Sequence, residues 1–389
     1  MKHGAMNSAN MKSDNLRLIL TLIRRKSVSR ADLARLTGLT RAAVTILVDE
    51  LLDKGYLLET GTAAAGFGRK PILLDLNPRR FYAAGVSISR EGCHIGLVDF
   101  KGTPVARETF MLNRYPTAAA ALAPLEKAVQ TLLDANAVPR ESLLGIGICT
   151  PGPVDIATGT ILNPPNFPLW HQVEIARAFS EYFHVDALLE NNAAALALAE
   201  KNYGQGPSFK SFLLLVIDSG IGAGMIIDRQ LYRGVGGFGS EIGHTTLDVN
   251  GPACSCGNRG CLELYASMPA LYQYLRDNEV SVKSWHEVVD QAEAGNGICR
   301  AAIARQARYL AAGIVNAMNL LELEAVILTG DINDRPDMLL GDIRQYAGQA
   351  AMTRNIHQLQ ILPSKIGPEY DILSAAAIVI EKFFTSGGI

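Results

Sequence analysis

Between Glu241 and Glu263 the chain reads EIGHTTLDVNGPACSCGNRGCLE, and no other stretch constrains the fold as tightly. Three of the six cysteines, Cys254, Cys256 and Cys261, fall within eight positions, with His244 ten residues before the first of them. The residues between are Gly, Pro, Ser and Asn, which favour tight turns over helix or strand. A loop of this content has little besides a metal to hold it in one shape. One His and three Cys complete a tetrahedral zinc set of the closed, structural kind, without the open position of a catalytic site. The rest of the chain agrees with that reading. The start, MKHGAMNSANMKSDN, lacks the apolar core of a secretory signal, and no run reaches the ~18 apolar residues of a membrane span. The expected location is the cytoplasm, where thiols stay reduced and clustered cysteines bind metal more often than they pair. Cys93, Cys149 and Cys299 are scattered and are expected to be buried small hydrophobes.

A net charge of −2 conceals an asymmetry: residues 1–76 carry a net of +5 and the remainder −7. A basic head on an acidic body points to a nucleic-acid-binding module attached to something else. Within the head, Leu16, Ile19, Leu20 and Ile23 recur at helical spacing. Ser29 followed by Asp32 forms a capping box that opens a second helix with apolar positions Leu33, Ala34 and Leu36. Gly38 allows a tight turn, and Thr40 caps a third helix with an inner face of Val44, Leu47, Val48 and Leu51. This is a helix-turn-helix, and its second helix would enter the major groove with Thr40, Arg41, Ala42 and Thr45 towards base edges. Arg41 suits a bidentate pair with guanine, and Ala42 or Thr45 a thymine methyl. After Gly55, YLLE and PILLDL read as two strands of a β-wing that places Arg69 and Lys70 near phosphate or the minor groove. The head is set at residues 1–79; a helical hairpin used for protein contacts is the competing reading.

From residue 80 the pattern changes to α/β. FYAAGVSIS, CHIGLVDF and PVARETFML are strand-like runs separated by turns. A helix at 117–136, the strand LLGIGIC, the loop TPGPVD, a helix near 172–183, the strand VDALLE and a helix at 192–203 follow. SFLLLVID and GAGMIID then restart the scheme, with helices over much of 268–320, strands AVILTG and LQILP, and a closing helix from 371. Two copies of a strand meander followed by helix–strand alternation imply two lobes, 80–200 and 201–370, with a cleft between them.

Here the chain resembles the ROK family (repressors, open reading frames and kinases) over about residues 80–385. The family pattern Glu-x-Gly-His followed by Cys-x-Cys-Gly-x-x-Gly-Cys-x-Glu stands as Glu241-Ile242-Gly243-His244 and Cys254-Ser255-Cys256-Gly257-Asn258-Arg259-Gly260-Cys261-Leu262-Glu263. The resemblance implies an actin-like, two-lobed fold of the sugar-kinase and ribonuclease H type, with the closing helix, 371–389, packed back on the first lobe. It also implies that His244, with one ring nitrogen on zinc, joins Glu241 and Glu263 in holding a sugar. Asn163-Pro164-Pro165-Asn166-Phe167-Pro168-Leu169-Trp170 resembles the family's Asn-x-x-Asn-Leu-x-x-Trp loop, after a turn containing Gly152. Glu190-Asn191-Asn192-Ala193 resembles its Glu-Asn-Asp-Ala motif. The implied sugar ligands on that side are Gly152, Asn166, Asn191 and Asn192.

Three departures separate the chain from the family's kinases. The general base, an Asp, is replaced by Asn192, whose amide takes no proton at useful pH. The first phosphate loop, Asp-x-Gly-Gly-Thr in kinases, reads Ser87-Ile88-Ser89-Arg90-Glu91, without the metal-holding carboxylate or the glycines that let backbone approach phosphate. Thr329-Gly330-Asp331-Ile332 replaces a run of glycines, while Ser219-Gly220-Ile221-Gly222 keeps the second phosphate turn. The chain is therefore expected to be a non-enzymatic, sugar-responsive DNA-binding regulator, most simply a repressor. Its expected partners are operator DNA, a sugar or sugar phosphate, and a second copy of itself. A sugar kinase carrying a DNA-binding domain, and a constitutive DNA-binding protein with a vestigial pocket, are the alternatives.

Overall fold

The computed structural model describes residues 8–62, 71–90, 92–165, 167–352, 359–367 and 370–386. The chain divides into two compact units, Met1–Asn192 with Glu369–Ile389, and Ala193–Pro368. No helix among the described residues is long and apolar enough to cross a membrane.

The first unit opens with α1 (Ser8–Arg25), β1 (Val28–Ser29), α2 (Arg30–Thr37), α3 (Arg41–Asp53), β2 (Leu57–Thr62) and β3 (Ile72–Leu76). Leu16, Ile19, Leu20 and Ile23 of α1 are fully buried, as their helical period requires. Ser29 caps α2 by accepting from Asp32 N–H and donating to the Asp32 carboxylate at 2.7 Å. Gly38 ends α2 in the left-handed region (φ 74°), and its N–H is bonded to Ala34. Thr40 accepts from Ala43 N–H and starts α3, which buries Val44, Leu47, Val48 and Leu51. Of the apolar positions expected in α2, Leu33 is buried while Leu36 points outward, 50% exposed. The strands form a three-stranded antiparallel sheet in the order β1-β3-β2. The two-residue β1 was not expected from sequence, and β2 runs on past YLLE to Thr62. Arg69 and Lys70, at the tip of the expected wing, lie outside the described residues.

The first lobe follows: β4 (Tyr82–Ile88), β5 (Cys93–Asp99), β6 (Pro104–Phe110), α4 (Ala118–Ala135), β7 (Leu143–Thr150), the small hairpin β8 (Val154–Asp155) and β9 (Thr160–Ile161), α5 (Ile175–Phe183) and β10 (Ala187–Asn191). Its sheet runs β10-β7-β4-β5-β6, with the first three strands parallel and the meander antiparallel. The apolar faces of α4 (Leu125, Val129, Leu132) and α5 (Ile175, Phe179) cover one side.

The second unit starts with α6 (Asn192–Tyr203), then β11 (Phe212–Ile217), β12 (Ile221–Ile227), β13 (Gln230–Tyr232), α7 (Glu263–Ala266), α8 (Met268–Asp277), α9 (Trp285–Glu293), α10 (Gly297–Leu321), β14 (Ala325–Gly330), α11 (Asp337–Ala350) and β15 (Gln360–Pro363). The strand order β15-β14-β11-β12-β13 repeats that of the first sheet, so the internal repeat is real. Helix α6 was expected to close the first lobe at residue 200; instead it packs on the second sheet. The cause is small side chains meeting glycine. A Cβ on Gly224 of β12 would sit 2.4 Å from Ala193 O and 2.5 Å from Ala197 Cβ.

The chain ends in α12 (Tyr370–Ser386), which lies across the free face of the first sheet. A Cβ on Gly147 would fall 1.7 Å from Ala375 O, and one on Gly85 2.5 Å from Ile372 O, so only glycine admits the helix backbone this close. The far end of α12 meets the N-terminal module. Phe383 and Phe384 pack with Phe81, Phe100 and Tyr56, ring centroids 5.3–6.2 Å apart. Arg24 of α1 pairs with Glu381 at 3.3 Å and lies over the Phe384 ring.

Candidate functional site

The cysteine loop is better held by its own backbone than its composition suggests. Thr246 pairs with Cys261 and Ala253 with Arg259 in isolated antiparallel bridges, and Cys254 N–H bonds Asn258 O at 2.8 Å. The Asn258 side chain donates to His244 O and Thr246 Oγ1. Gly260 (φ 61°) permits the crossing, since a Cβ there would lie 1.8 Å from Asp248 O. This folding brings one ligand atom each from His244, Cys254, Cys256 and Cys261 within 4.8 Å of one another, a group that can hold a metal ion. His244 Nδ1 is 3.7 Å from Cys254 Sγ, and Cys256 Sγ 3.8 Å from Cys261 Sγ. Burial and the neighbouring thiols push the Cys261 thiol up to about 12, so a full set of thiolates here calls for a cation.

With Nδ1 turned to the thiols, Nε2 is the second hydrogen-bonding atom of the His244 ring. Glu241 and Glu263 lie in the same unit, close enough for their charges to interact. The Glu241 side chain reaches solvent, yet packing around its carboxyl and the Glu263 charge hold it above the usual carboxylate range, with His244 opposing. Glu263 Oε2 accepts from Ile221 N–H at 3.2 Å, and a Cβ on Gly220 would lie 2.4 Å from it. One of the two expected sugar-binding carboxylates is thus partly used by the β11–β12 turn. Beside Glu241, Ser240 is held at φ 72° with its hydroxyl buried and unbonded among the described residues.

In the first unit, the carboxyl ends of the parallel strands β7 and β10 bring Thr150, Gly152 and Asn191 together, with Asn192 next in chain. Thr150 and Asn191 are register partners. A Cβ on Gly152 would stand 2.8 Å from Asn191 Nδ2. Thr150 Oγ1 and Asn192 Oδ1 are buried with no hydrogen-bond partner among the described residues. Buried polar atoms are rarely left so, and the carboxyl ends of parallel strands are where α/β sheets take ligands. Thr150 was not anticipated. Asn166 lies outside the described residues; just before it, Arg90 donates from Nε and a terminal nitrogen to Pro165 O.

That use of Arg90 bears on the expected phosphate loops. The β4–β5 turn closes on itself through Ser89 N–H and Gly92 O at 2.8 Å, and its arginine is spent on a carbonyl. Glu91 lies outside the described residues. In the second unit, Asp218 Oδ1 accepts from Asp331 N–H at 2.7 Å, and so fills with its own carboxylate an amide at the end of β14.

The DNA-reading residues expected in the head are all exposed: Thr40 as the cap of α3, and Arg41, Ala42 and Thr45 on the helix itself. Arg41 has no side-chain partner among the described residues, whereas the Thr45 hydroxyl donates to Arg41 O at 2.9 Å.

The ROK family model matches residues 83–382. The chain is 32% identical over 381 residues to the xylose repressor of Bacillus spizizenii, across 96% of each chain. It is 28% identical to a glucokinase of Thermotoga maritima, across 77% of this chain and 97% of that enzyme. Among solved structures it is similar to a ROK family transcriptional regulator, a homolog of the Escherichia coli MLC protein. That match has a TM-score of 0.81 and 24% identity, and covers 96% of this chain and 97% of that one. A family model spanning most of the chain, and full-length identity above 30%, make this protein a member of the ROK family.

Proposed function

We propose that the protein is a sugar-responsive transcriptional repressor. It binds operator DNA through α3 and the wing, and binds a sugar or sugar phosphate through Gly152, Asn166, Asn191, Asn192, Glu241, His244 and Glu263. The observation that carries this reading is Asn192: its buried, unbonded amide oxygen can accept from a hydroxyl, yet it cannot serve as a general base. A site that retains acceptors for hydroxyls, but has an amide where the family's kinases have the catalytic carboxylate, suits holding a sugar without transferring a phosphoryl group to it. The basic helix-turn-helix module and the similarity to a repressor along 96% of each chain support the DNA-binding half.

Zinc suits the four-ligand cluster. Zinc–sulfur bonds of ~2.3 Å put two thiolates of a tetrahedral site about 3.8 Å apart, and Cys256 Sγ and Cys261 Sγ are 3.8 Å apart. The ion would hold His244 in one orientation with Nε2 towards the sugar and would do no chemistry itself. A homodimer would offer two recognition helices to a two-fold operator. Sugar alters DNA binding only as far as its affinity differs between the DNA-competent and DNA-incompetent conformations.

Operator DNA selected from a random duplex library, then titrated with a panel of monosaccharides and sugar phosphates in a gel-shift assay, tests the reading. At least one sugar is expected to change operator affinity tenfold or more; a panel that changes nothing counts against it. The similarity to a glucokinase keeps a kinase reading open. Sugar-dependent ADP release above background, lost in Asn192→Ala, would favour the enzyme.

A further inference from the structure

The outer face of α3 is poorer in hydrogen-bonding groups than its sequence suggests. Its exposed positions are Arg41, Ala42, Thr45, Ile46, Asp49 and Asp53, next to the exposed cap Thr40. The Thr40 hydroxyl oxygen is occupied by Ala43 N–H at 3.2 Å. Thr45 gives its proton to Arg41 O, so this exposed side chain has no donor left to offer and carries a methyl group beside its committed hydroxyl. Asp49 is paired with Arg30 at 3.0 Å. The cation left without a side-chain partner at the start of the helix is Arg41, beside a patch made of Ala42, the Thr45 methyl and Ile46, with Asp53 at the far end of α3. Ile46 is 66% exposed, one helical turn after Ala42. A single exposed aliphatic residue needs no explanation. Three adjacent ones flanking an arginine, on the outer helix of a module with a net charge of +5 over residues 1–76, match one surface chemically. That surface is the major groove, where phosphates attract the charge and thymine alone offers a methyl group.

We propose that Ile46, together with Ala42 and the Thr45 methyl, reads thymine C5-methyl groups in the operator, with Arg41 as the hydrogen-bonding reader of α3. The proposal rests on the DNA-binding reading above and sharpens it. Each half-site should contain a guanine for Arg41, flanked by thymines whose methyl groups matter more than their hydrogen-bonding edges.

Replacing thymine by deoxyuridine removes the methyl and nothing else. On the selected operator, one or two such replacements per half-site are expected to weaken wild-type binding about fourfold each, the worth of one buried methylene-sized group. Ile46→Ala should bind the thymine and deoxyuridine versions of at least one of these positions equally, while still discriminating at the guanine. Ile46→Val, which retains the branch, should stay sensitive. Arg41→Ala should show the reverse: guanine discrimination lost and methyl sensitivity kept. The proposal is overturned if wild-type binding is sequence-specific yet indifferent to every replacement, or if Ile46→Ala is as sensitive as wild type. Failure to select any operator would remove the DNA-binding reading and this proposal with it, an outcome distinct from the other two.

Discussion

Individual residues divide into those whose role is fixed by local spacing and those whose role depends on what lies across a sheet. The candidate metal ligands and Arg41 belong to the first kind, because a turn or a helix face is enough to place them, whereas Asn191 stands out only through the resemblance of its motif. Thr150 belongs to the second. In sequence it is the end of an apolar strand, and its unbonded hydroxyl acquires meaning only from its parallel register with Asn191. Glu200 is similar: it is a carboxylate within the helix expected at 192–203, yet it is completely buried. It accepts from Gln205 N–H and from Ser364 Oγ at 2.7 Å, tying α6 to the segment after β15. Burial holds its carboxyl above the ordinary range around 4.5, although hydrogen bonds from Gln205, Ser364 and Lys365 oppose the shift. A carboxyl with a raised folded pKa binds its proton more tightly in the native state. Its contribution to stability is therefore full below the unfolded pKa and is lost as pH rises through the folded value. Melting temperatures measured from pH 4 upward should fall more steeply in wild type than in Glu200→Gln; a steeper fall in the variant would contradict this account.

At the scale of elements, strong helices and the longer strands were legible because their periods are long enough to count. The short pieces β1 and β13, two and three residues long, carry no period, and pairing with a neighbour is what makes them strands. The cysteine loop held a different lesson. Its composition suggested a segment shaped by metal alone, yet two backbone bridges and the Asn258 side chain already fix its outline. Metal should therefore sharpen this loop rather than fold it. Cys256 is exposed, so Cys256→Ser removes a ligand and almost no packing. Purified Cys256→Ser should lose most bound metal by elemental analysis and melt lower than wild type by several degrees. Chelator should bring wild type down to the same temperature, with far-UV circular dichroism unchanged in both. A variant that kept its metal would overturn the assigned ligand set.

Across the whole molecule, charge distribution and the change of pattern near residue 80 made the basic head legible. Its attachment was not, because no local signal links residues 16–56 to a helix more than three hundred residues later. The ring cluster of Tyr56, Phe81, Phe100, Phe383 and Phe384, with the Arg24–Glu381 pair, makes the head part of the first unit. Phe383→Ala removes the ring common to most of these contacts and should cost about 3 kcal/mol of docking. Limited proteolysis should then cut near residues 77–81 at least tenfold faster, with metal content unaltered; an unchanged cleavage rate would show the rings to be incidental. The position of α12 also has a consequence for how the protein is made. The sheet and the head that α12 covers are translated first, but the entire second unit, Ala193–Pro368, must leave the ribosome before that helix exists. Until then Gly85 and Gly147 face an open groove and the head lacks its contacts with Glu381, Phe383 and Phe384. An interrupted chain would thus carry a complete DNA-reading helix on an unfinished mount, a natural substrate for chaperones and proteases rather than a competitor for operators.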